Sequence, residues 1–501
     1  EPELPELPLM FLYMQKETQY HNNALAFRKQ SLVGRLTYGF DGRYFVEGNF
    51  GYTGSETFAS GNRFGFFPAV GFAWYVSNEH YFPEKLKNIV NKLKLRVSYG
   101  RTGNDNTGGE RFLYRQTMQQ NGGGYDLGFG SNGSLGGVGN GIIEGRFSAP
   151  YLSWEIEDKQ NYGIDLGLFD NRIDLQFDYF NNKRHNILLQ RKTVSNATGF
   201  QQMPWQNFGI VKNSGFDASV TLNQNVGDWK LSARGNLTYA HNKIVEYDEV
   251  PQPYEWMQVT GTSIGMWNLY IADGYYSFDD FIITGEGKDR VYELKEGVVS
   301  GLTAGVRPGD IKYKDLNNDG VINQYDQVRN IGNPKDPELV YGFGFNAEYK
   351  GWYAGIFFQG AGKTSTVLGG DNSAAFFPFE WGIDESSPRS AVLDRWTEEN
   401  PNPNAMFPRL HSSSFANNTA PSTHWLRDAS FIRLKNIELG YNFDKKMLSK
   451  IGFTAMRIYL QGNNLCVWDN IKMWDPELGN TNGGFGYPLN RTFTLGFDFS
   501  F

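Results

Sequence analysis

The feature that most limits what this chain can fold into is an alternation of side-chain character with a period of two. At the end of the chain, Phe493, Leu495, Phe497, Phe499 and Phe501 share one parity, and Thr492, Thr494, Gly496, Asp498 and Ser500 share the other. Successive side chains of a strand point to opposite faces, so such a segment has one apolar and one polar face. The same alternation places Leu93, Leu95, Val97 and Tyr99 against Lys92, Lys94, Arg96 and Ser98. It places Ile173, Leu175, Phe177 and Tyr179 against Asp174, Gln176 and Asp178. It recurs at Tyr44–Tyr52, Phe216–Leu222 and Leu231–Tyr239. Thirteen strands are expected, near 30–40, 43–53, 63–77, 92–101, 158–168, 172–183, 211–223, 229–241, 338–349, 352–361, 430–442, 454–462 and 490–501, with residues 11–20 as a fourteenth. Between Leu434 and Ile437 the alternation slips phase, which predicts a bulge.

Strand length narrows the class. Most of these segments reach ten residues, beyond the soluble-strand mode of about 5–6 and in the range of about 9–11 that a tilted strand needs to cross a bilayer. Aromatics make up 16% of the 501 residues, yet mean hydropathy is −0.49. An apolar outer row averaged with a polar inner row gives that combination. Chains so rich in aromatics are not disordered, and no apolar run of about 18 residues exists to form a membrane helix.

The connections alternate as well. Short ones are Asp41-Gly42, 78–91, Asp170-Asn171, 224–228, Lys350-Gly351 and 442–453. Long ones are 54–62, 102–157, 184–210, 242–337, 362–429 and 463–489. Up-and-down strands put consecutive connections on opposite sides, and outer-membrane barrels have short turns on one side and long loops on the other. The fold expected is all-β: a transmembrane antiparallel up-and-down β-barrel whose C-terminus lies on the short-turn side. A soluble propeller or sandwich also alternates, but with short strands and a repeated motif, and no such repeat occurs.

Other bulk properties exclude function classes. A net charge of −7 argues against a nucleic-acid surface. One cysteine, Cys466, excludes a disulfide framework and a multi-cysteine zinc site. The histidines at 21, 80, 185, 241, 411 and 424 have no zinc-site spacing and read as isolated surface or turn residues. There is no phosphate loop of the Walker type. The first residues lack the basic and apolar regions of a signal peptide, so the chain is expected to start after processing or partway through a longer protein.

One local motif carries chemistry. Asp315, Asn317, Asp319, Gly320, Val321, Asn323 and Asp326 fall at the spacing of a calcium-binding loop, residues 315–326. Calcium takes six to eight oxygens. Asp315, Asn317 and Asp319 supply side-chain oxygens, Val321 its carbonyl, Asn323 an oxygen directly or through water, and Asp326 closes the site. Gly320 permits the sharp turn and Ile322 can anchor the loop to apolar neighbours. The alternative is a Gly/Asx-rich turn without metal. Either way the loop would hold the long segment 242–337 structurally. Gly261-Thr-Ser263-Ile-Gly265 matches the nucleophile-elbow spacing, but an elbow needs a strand before it, a helix after it and acid and histidine partners, so no enzymatic role is expected. The stretch 102–148, with Asn121-Gly-Gly-Gly-Tyr125, and the stretch 362–429, with Phe376-Phe377-Pro-Phe379-Glu-Trp381, combine aromatics with amides. Such surfaces suit glycans or peptides, or else pack loop on loop. Trp74-Tyr75 and Trp352-Tyr353 read as interfacial girdle pairs.

Several blocks together resemble the C-terminal half of SusC/RagA-type TonB-dependent transporters, the outer-membrane nutrient importers of the Bacteroidota. They are Leu152-Ser153-Trp154-Glu155 leading into "NYGIDLGLFDNRIDLQFDYFNNKRHNILL" at 161–189, "NFGIVKNSGFDASV" at 207–220 and "PGDIKYKDLNNDGVINQYDQ" at 308–327. They continue with "IGNPKDPELVYGFGF" at 331–345, "WLRDASFIRLKNIELGYNF" at 425–443, "RIYLQGNNLCVWDN" at 457–470, "DPELG" at 475–479 and the final "NRTFTLGFDFSF". The resemblance implies a 22-strand barrel of which this chain supplies about 14 strands, the plug, the TonB box and the first strands belonging to an N-terminal half. It implies import of glycan or peptide oligomers with a SusD-like lipoprotein, and contact with TonB through the plug. A non-transporting scaffold barrel and a complete 14-strand passive porin are the other readings. The porin requires residues 490–501 to pair with 11–20.

Overall fold

A computed structural model describes residues 8–19, 25–129, 135–200, 202–369, 376–379, 389–448, 452–478 and 486–501. In chain order, β1 (Leu9–Thr18), β2 (Phe27–Phe40), β3 (Tyr44–Ser55), β4 (Phe64–Tyr75) and β5 (Val90–Asn104) come first. A hairpin of β6 (Met118–Phe129) and β7 (Leu135–Glu144) follows, then β8 (Glu155–Leu168), β9 (Ile173–Gln190), β10 (Trp205–Val226) and β11 (Trp229–Glu246). Six short strands come next: β12 (Trp267–Tyr270), β13 (Ala272–Tyr275), β14 (Phe281–Thr284), β15 (Val291–Leu294), β16 (Ile311–Tyr313) and β17 (Gln327–Ile331). The chain ends with β18 (Leu339–Tyr349), β19 (Trp352–Gly362), β20 (Ser365–Val367), β21 (Leu426–Asp428), β22 (Phe431–Asn442), β23 (Ala455–Asp469) and β24 (Thr492–Ser500).

Fourteen strands form one sheet in the order β1-β2-β3-β4-β5-β8-β9-β10-β11-β18-β19-β22-β23-β24, with β1 and β24 as its edges. Every strand expected from the alternation is one of these. Chain order equals sheet order once the loop strands are set aside, which is the up-and-down topology. The slip of phase at Leu434–Ile437 is a bulge: Leu434 and Asn436 oppose the consecutive residues Phe358 and Phe357, leaving Lys435 over. The short turns use left-handed backbone where a two-residue hairpin needs it. Asp41 and Gly42 have φ of 54° and 59°, and Lys350 and Gly351 have 46° and 92°. No helix among the described residues is long and apolar enough to cross a membrane.

The chain divides into two compact units, Glu1–Ala218 with Ala240–Pro251, and Ser219–Tyr239 with Gln252–Phe501. In the first, a small core of Phe58, Leu113, Ala149, Leu152 and Trp154 sits in the connections beyond the strand ends. In the second, a larger core gathers Leu269, Tyr270, Ile311, Tyr313, Ile322, Val367, Phe376, Phe377, Phe407 and Trp425. These residues come from the two longest connections, 242–337 and 362–429. Two segments read separately in the sequence are therefore one packed body.

Candidate functional site

The sheet faces come first, because they define the class of protein. On β3, β4, β5 and β8, pairing aligns Val46 with Phe72, Phe72 with Val97, and Val97 with Tyr162. All are on one face, and that face continues as Ile164 opposite Phe177 on β9. The other face carries Arg96, which donates to Asp165 (2.8 Å) and Asp178 (2.8 Å), and Arg35, which donates to Glu47 (2.6 Å). An apolar face backed by a face of paired charges is what a strand with lipid on one side and an aqueous lumen on the other requires. At the short-turn end, Tyr44 stacks on Trp74 at 6.4 Å, and Trp229 stacks on Tyr349 at 4.6 Å. Trp352 meets Tyr441 at 5.1 Å. These pairs form an aromatic girdle. The expected girdle pairs split, because neighbours on a strand face opposite ways. Trp74 and Trp352 join the girdle, while the Tyr353 hydroxyl donates to Glu438 at 2.8 Å on the polar face.

The calcium-type loop is compact. The Asp319 amide donates to Asn317 Oδ1 (3.1 Å), the Gly320 amide to Asp315 Oδ2 (2.7 Å) and the Val321 amide to Asp319 Oδ1 (2.9 Å). The Asn317 side chain donates to Asp319 (2.8 Å), which holds the Asp319 carboxyl below the usual carboxylate range. The Asn323 amide group is 3.5 Å from both Asp319 Oδ2 and the Val321 carbonyl. Gly320 takes a left-handed φ of 84°, and Ile322 is buried in the larger core. Asp326 is fully buried and accepts from the amides of Leu316 (2.8 Å) and Asn323 (2.9 Å). The fold thus gathers Asp315, Asn317, Asp319, Val321 and Asn323 in one turn and sets Asp326 at its base. No group of three or more His, Cys, Asp or Glu side chains is placed to hold a metal among the described residues. The remaining donors would have to be the amide and carbonyl oxygens, which hard cations accept.

A buried polar network was not visible in the sequence. The Asp310 carboxylate has no exposure. It pairs with Arg409 (2.9 Å) and His411 (2.8 Å) and accepts from the Asn418 side chain (2.8 Å). Asn418 Oδ1 accepts from the Ile311 amide and Asn417 Oδ1 from the Leu302 amide, both at 2.9 Å. Tyr275 and His424 form a second group: His424 Nε2 is 3.0 Å from the Met406 carbonyl and 3.3 Å from the Tyr275 hydroxyl. His411 and His424 are therefore built into the loop body and are not isolated surface residues. A third group joins Arg433 to Asp475 and Glu477. The only sequence signal for these groups is that Asp310, Ile311, Arg433, Asp475 and Glu477 fall inside the blocks quoted above.

Other candidates resolve simply. Ser263 is buried, and turns and the short strand β12 follow it, so the strand-to-helix context of an elbow is missing. Phe376 and Phe377 are core residues, the loop-on-loop outcome; Glu380 and Trp381 lie outside the described residues. Asn121–Tyr125 lies in the backbone of β6.

This sheet and its two-sided strands define an outer-membrane β-barrel of a Gram-negative bacterium. The chain belongs to the family described as TonB dependent receptor-like, beta-barrel, which it matches over residues 13–465. It is 29% identical to TonB-dependent receptor P26 of Formosa agariphila over 95% of this chain and 46% of that protein. It is 24% identical to TonB-dependent receptor SusC of Bacteroides thetaiotaomicron over 94% of this chain and 43% of that protein. The chain thus spans less than half the length of these relatives. In fold it matches the structure of the RagAB peptide transporter with a TM-score of 0.69 and 23% identity, covering 95% of this chain and 48% of that one.

Proposed function

We propose that this chain forms barrel wall and extracellular loops of a TonB-dependent importer of the Bacteroidota outer membrane. The supporting observation is the family match across residues 13–465 together with a polar inner face and a packed loop body on the long-loop side. The cargo class is glycan or peptide oligomers. RagAB is named as a peptide transporter, and a SusD-like lipoprotein is the partner expected to capture cargo at the loops. The sheet edges β1 and β24 carry unpaired backbone groups, each of which would cost several kcal/mol in lipid. Strands of an N-terminal half, which also holds the plug and the TonB contact, would satisfy them.

The test uses the full-length protein in its native host. Deleting the gene should abolish uptake of labelled oligomers, and removing TonB should have the same effect. Affinity purification should retain a surface lipoprotein in stoichiometric amount. Retention of the lipoprotein with unchanged uptake would instead support a scaffold role.

We also propose that calcium binds at residues 315–326 through Asp315, Asn317, Asp319, Val321, Asn323 and Asp326. Its role there is structural. It would cross-brace a turn already anchored by Ile322.

A further inference from the structure

The lipid-facing side of the first unit changes character sharply near the long-loop end of its strands. Tyr13 pairs with Leu32, Leu32 with Tyr52, and Tyr52 with Phe66, one apolar level on one face. Two residues further on, the same face carries Gln15 opposite Gln30, Gln30 opposite Gly54 and Gly54 opposite Phe64. The next level pairs Glu17 with Arg28. Two residues of a strand rise about 7 Å, so Gln15 and Gln30, with Glu17 and Arg28 beyond them, bring polar side chains to headgroup depth beside Phe64, the last apolar residue of this face on β4.

A recess of about 420 Å³ opens at this level. Its wall includes Gln15, Gln30, Gly54 and Phe64 from the outward face, and its cations are Arg28, Lys29, Arg63 and Arg115. Among the described residues Glu56 is the one carboxylate on the wall, and Arg111 engages it. Arg28 is paired with Glu17 at 3.1 Å and Lys29 with Asp105 at 2.6 Å. Among the described residues, no ion pair engages Arg63 or Arg115. Arg63 uses Nε for the Phe58 carbonyl at 3.2 Å. The Arg115 guanidinium lies 5.4 Å over Phe112 and 5.7 Å over Tyr114. Arg111 donates to the carbonyls of Leu25 (2.7 Å) and Ala26 (3.1 Å), which fixes segment 111–115 across the strand ends.

We propose that this recess binds the phosphate of an outer-leaflet lipid headgroup. A guanidinium stacked on aromatic faces keeps its N–H edge for a planar or tetrahedral oxyanion. Basic recesses at the membrane surface suit phosphorylated headgroups. Gln15, Arg28, Gln30 and Phe64 have outward parity and give the recess a lipid-facing wall, while Lys29 and Arg63, both level with Ser55, reach it from the other parity at the strand ends. The assignment is independent of what the protein imports.

The experiment uses the full-length protein extracted from its own outer membrane in mild detergent and examined by native mass spectrometry. The wild type should retain phosphorylated glycolipid. Arg63→Gln with Arg115→Gln should reduce the retained fraction about tenfold or more, with unchanged heat-modifiable mobility on gels. If the double variant does not reach that folded form, Arg115→Gln alone, at an exposed position, carries the test. Added lipid stripped of its phosphates should be retained no better than by the variant, and millimolar inorganic phosphate should not displace bound lipid. Equal retention by wild type and variant, or equal retention of dephosphorylated lipid, overturns the proposal. Displacement by inorganic phosphate overturns the lipid as occupant and assigns the recess to a soluble anion.

Discussion

Arg433 donates to Asp475 at 2.6 Å across 42 residues, with the guanidinium side chain only 3% exposed. Glu477 lies 2.8 Å away on the same head group. This ties the 463–489 connection to the end of β22. Removing one partner of a buried pair leaves the others uncompensated and costs about 3–5 kcal/mol. Arg433→Ala should therefore lower the temperature at which the folded form resists denaturing detergent. Arg433→Lys should recover only part of the loss, because an ammonium lacks the planar fork that meets two carboxylates.

Asn418 is the hinge of the loop network. It donates to Asp310 and accepts from the Ile311 amide, and its carbonyl accepts from the Trp425 indole at 2.8 Å. Asn418→Ala leaves a buried carboxylate and a buried amide short of partners, at about 1–3 kcal/mol. Limited proteolysis should cut 242–337 and 362–429 faster, while the membrane-embedded strands keep their protection.

The loop body should weaken in mild acid. Burial, opposed by the bond to the Met406 carbonyl and aided by Arg427, pushes His424 down to about 4. An unfolded histidine titrates near 6.5. Between those values the unfolded chain binds more protons, so stability falls as pH drops from about 6.5 toward 4, by at most about 3 kcal/mol. Following loop proteolysis against pH should show this slope, and His424→Gln should flatten it. An unchanged slope in the variant would assign the effect elsewhere.

Face assignment predicts opposite outcomes for neighbouring residues. Val97 lies opposite Phe72 and Tyr162 on the lipid side, and Ser98 opposite Asn161 on the lumen side. Val97→Arg should cost about 2–4 kcal/mol and impair membrane insertion. Ser98→Arg should insert normally. Heat-modifiable mobility of the two variants reads the difference.

The metal proposal has a direct optical readout. Terbium substitutes for calcium and is sensitised by nearby aromatics. Tyr325 lies within the loop, and the Trp256 indole donates to its carbonyl at 2.9 Å. Luminescence should appear on titration and be lost in Asp319→Ala. A signal unaffected by that change would rule out the loop as the site.

The strands were legible in the sequence because lipid on one side and water on the other impose a two-residue period. Even the bulge at Lys435 left a trace, since one extra residue reverses the parity of every side chain after it. The compact Asx-rich turn at 315–326 was legible from spacing, as was the anchoring by Ile322. The loop body was not. Asp310 and His411 are 101 residues apart, and neither lies in a periodic segment, so no local rule connects them. Phe376 and Phe377 had the composition of a binding surface. Only the packing shows that Phe376 faces Trp474 and Phe377 faces Trp425.

The shared core of the two longest connections sets an order of events. Trp425 and Phe377, 4.4 Å apart edge to face, meet Leu269 and Ile311 only after the intervening hairpin of β18 and β19 has brought both connections to one end of the sheet. Until then their apolar side chains remain wet on a chain that must still reach the membrane. Contacts so distant in sequence form late. Burial of Trp425, which has no exposure in the folded chain, therefore marks the last stage of assembly, and a chain halted before it would still show that apolar cluster to solvent.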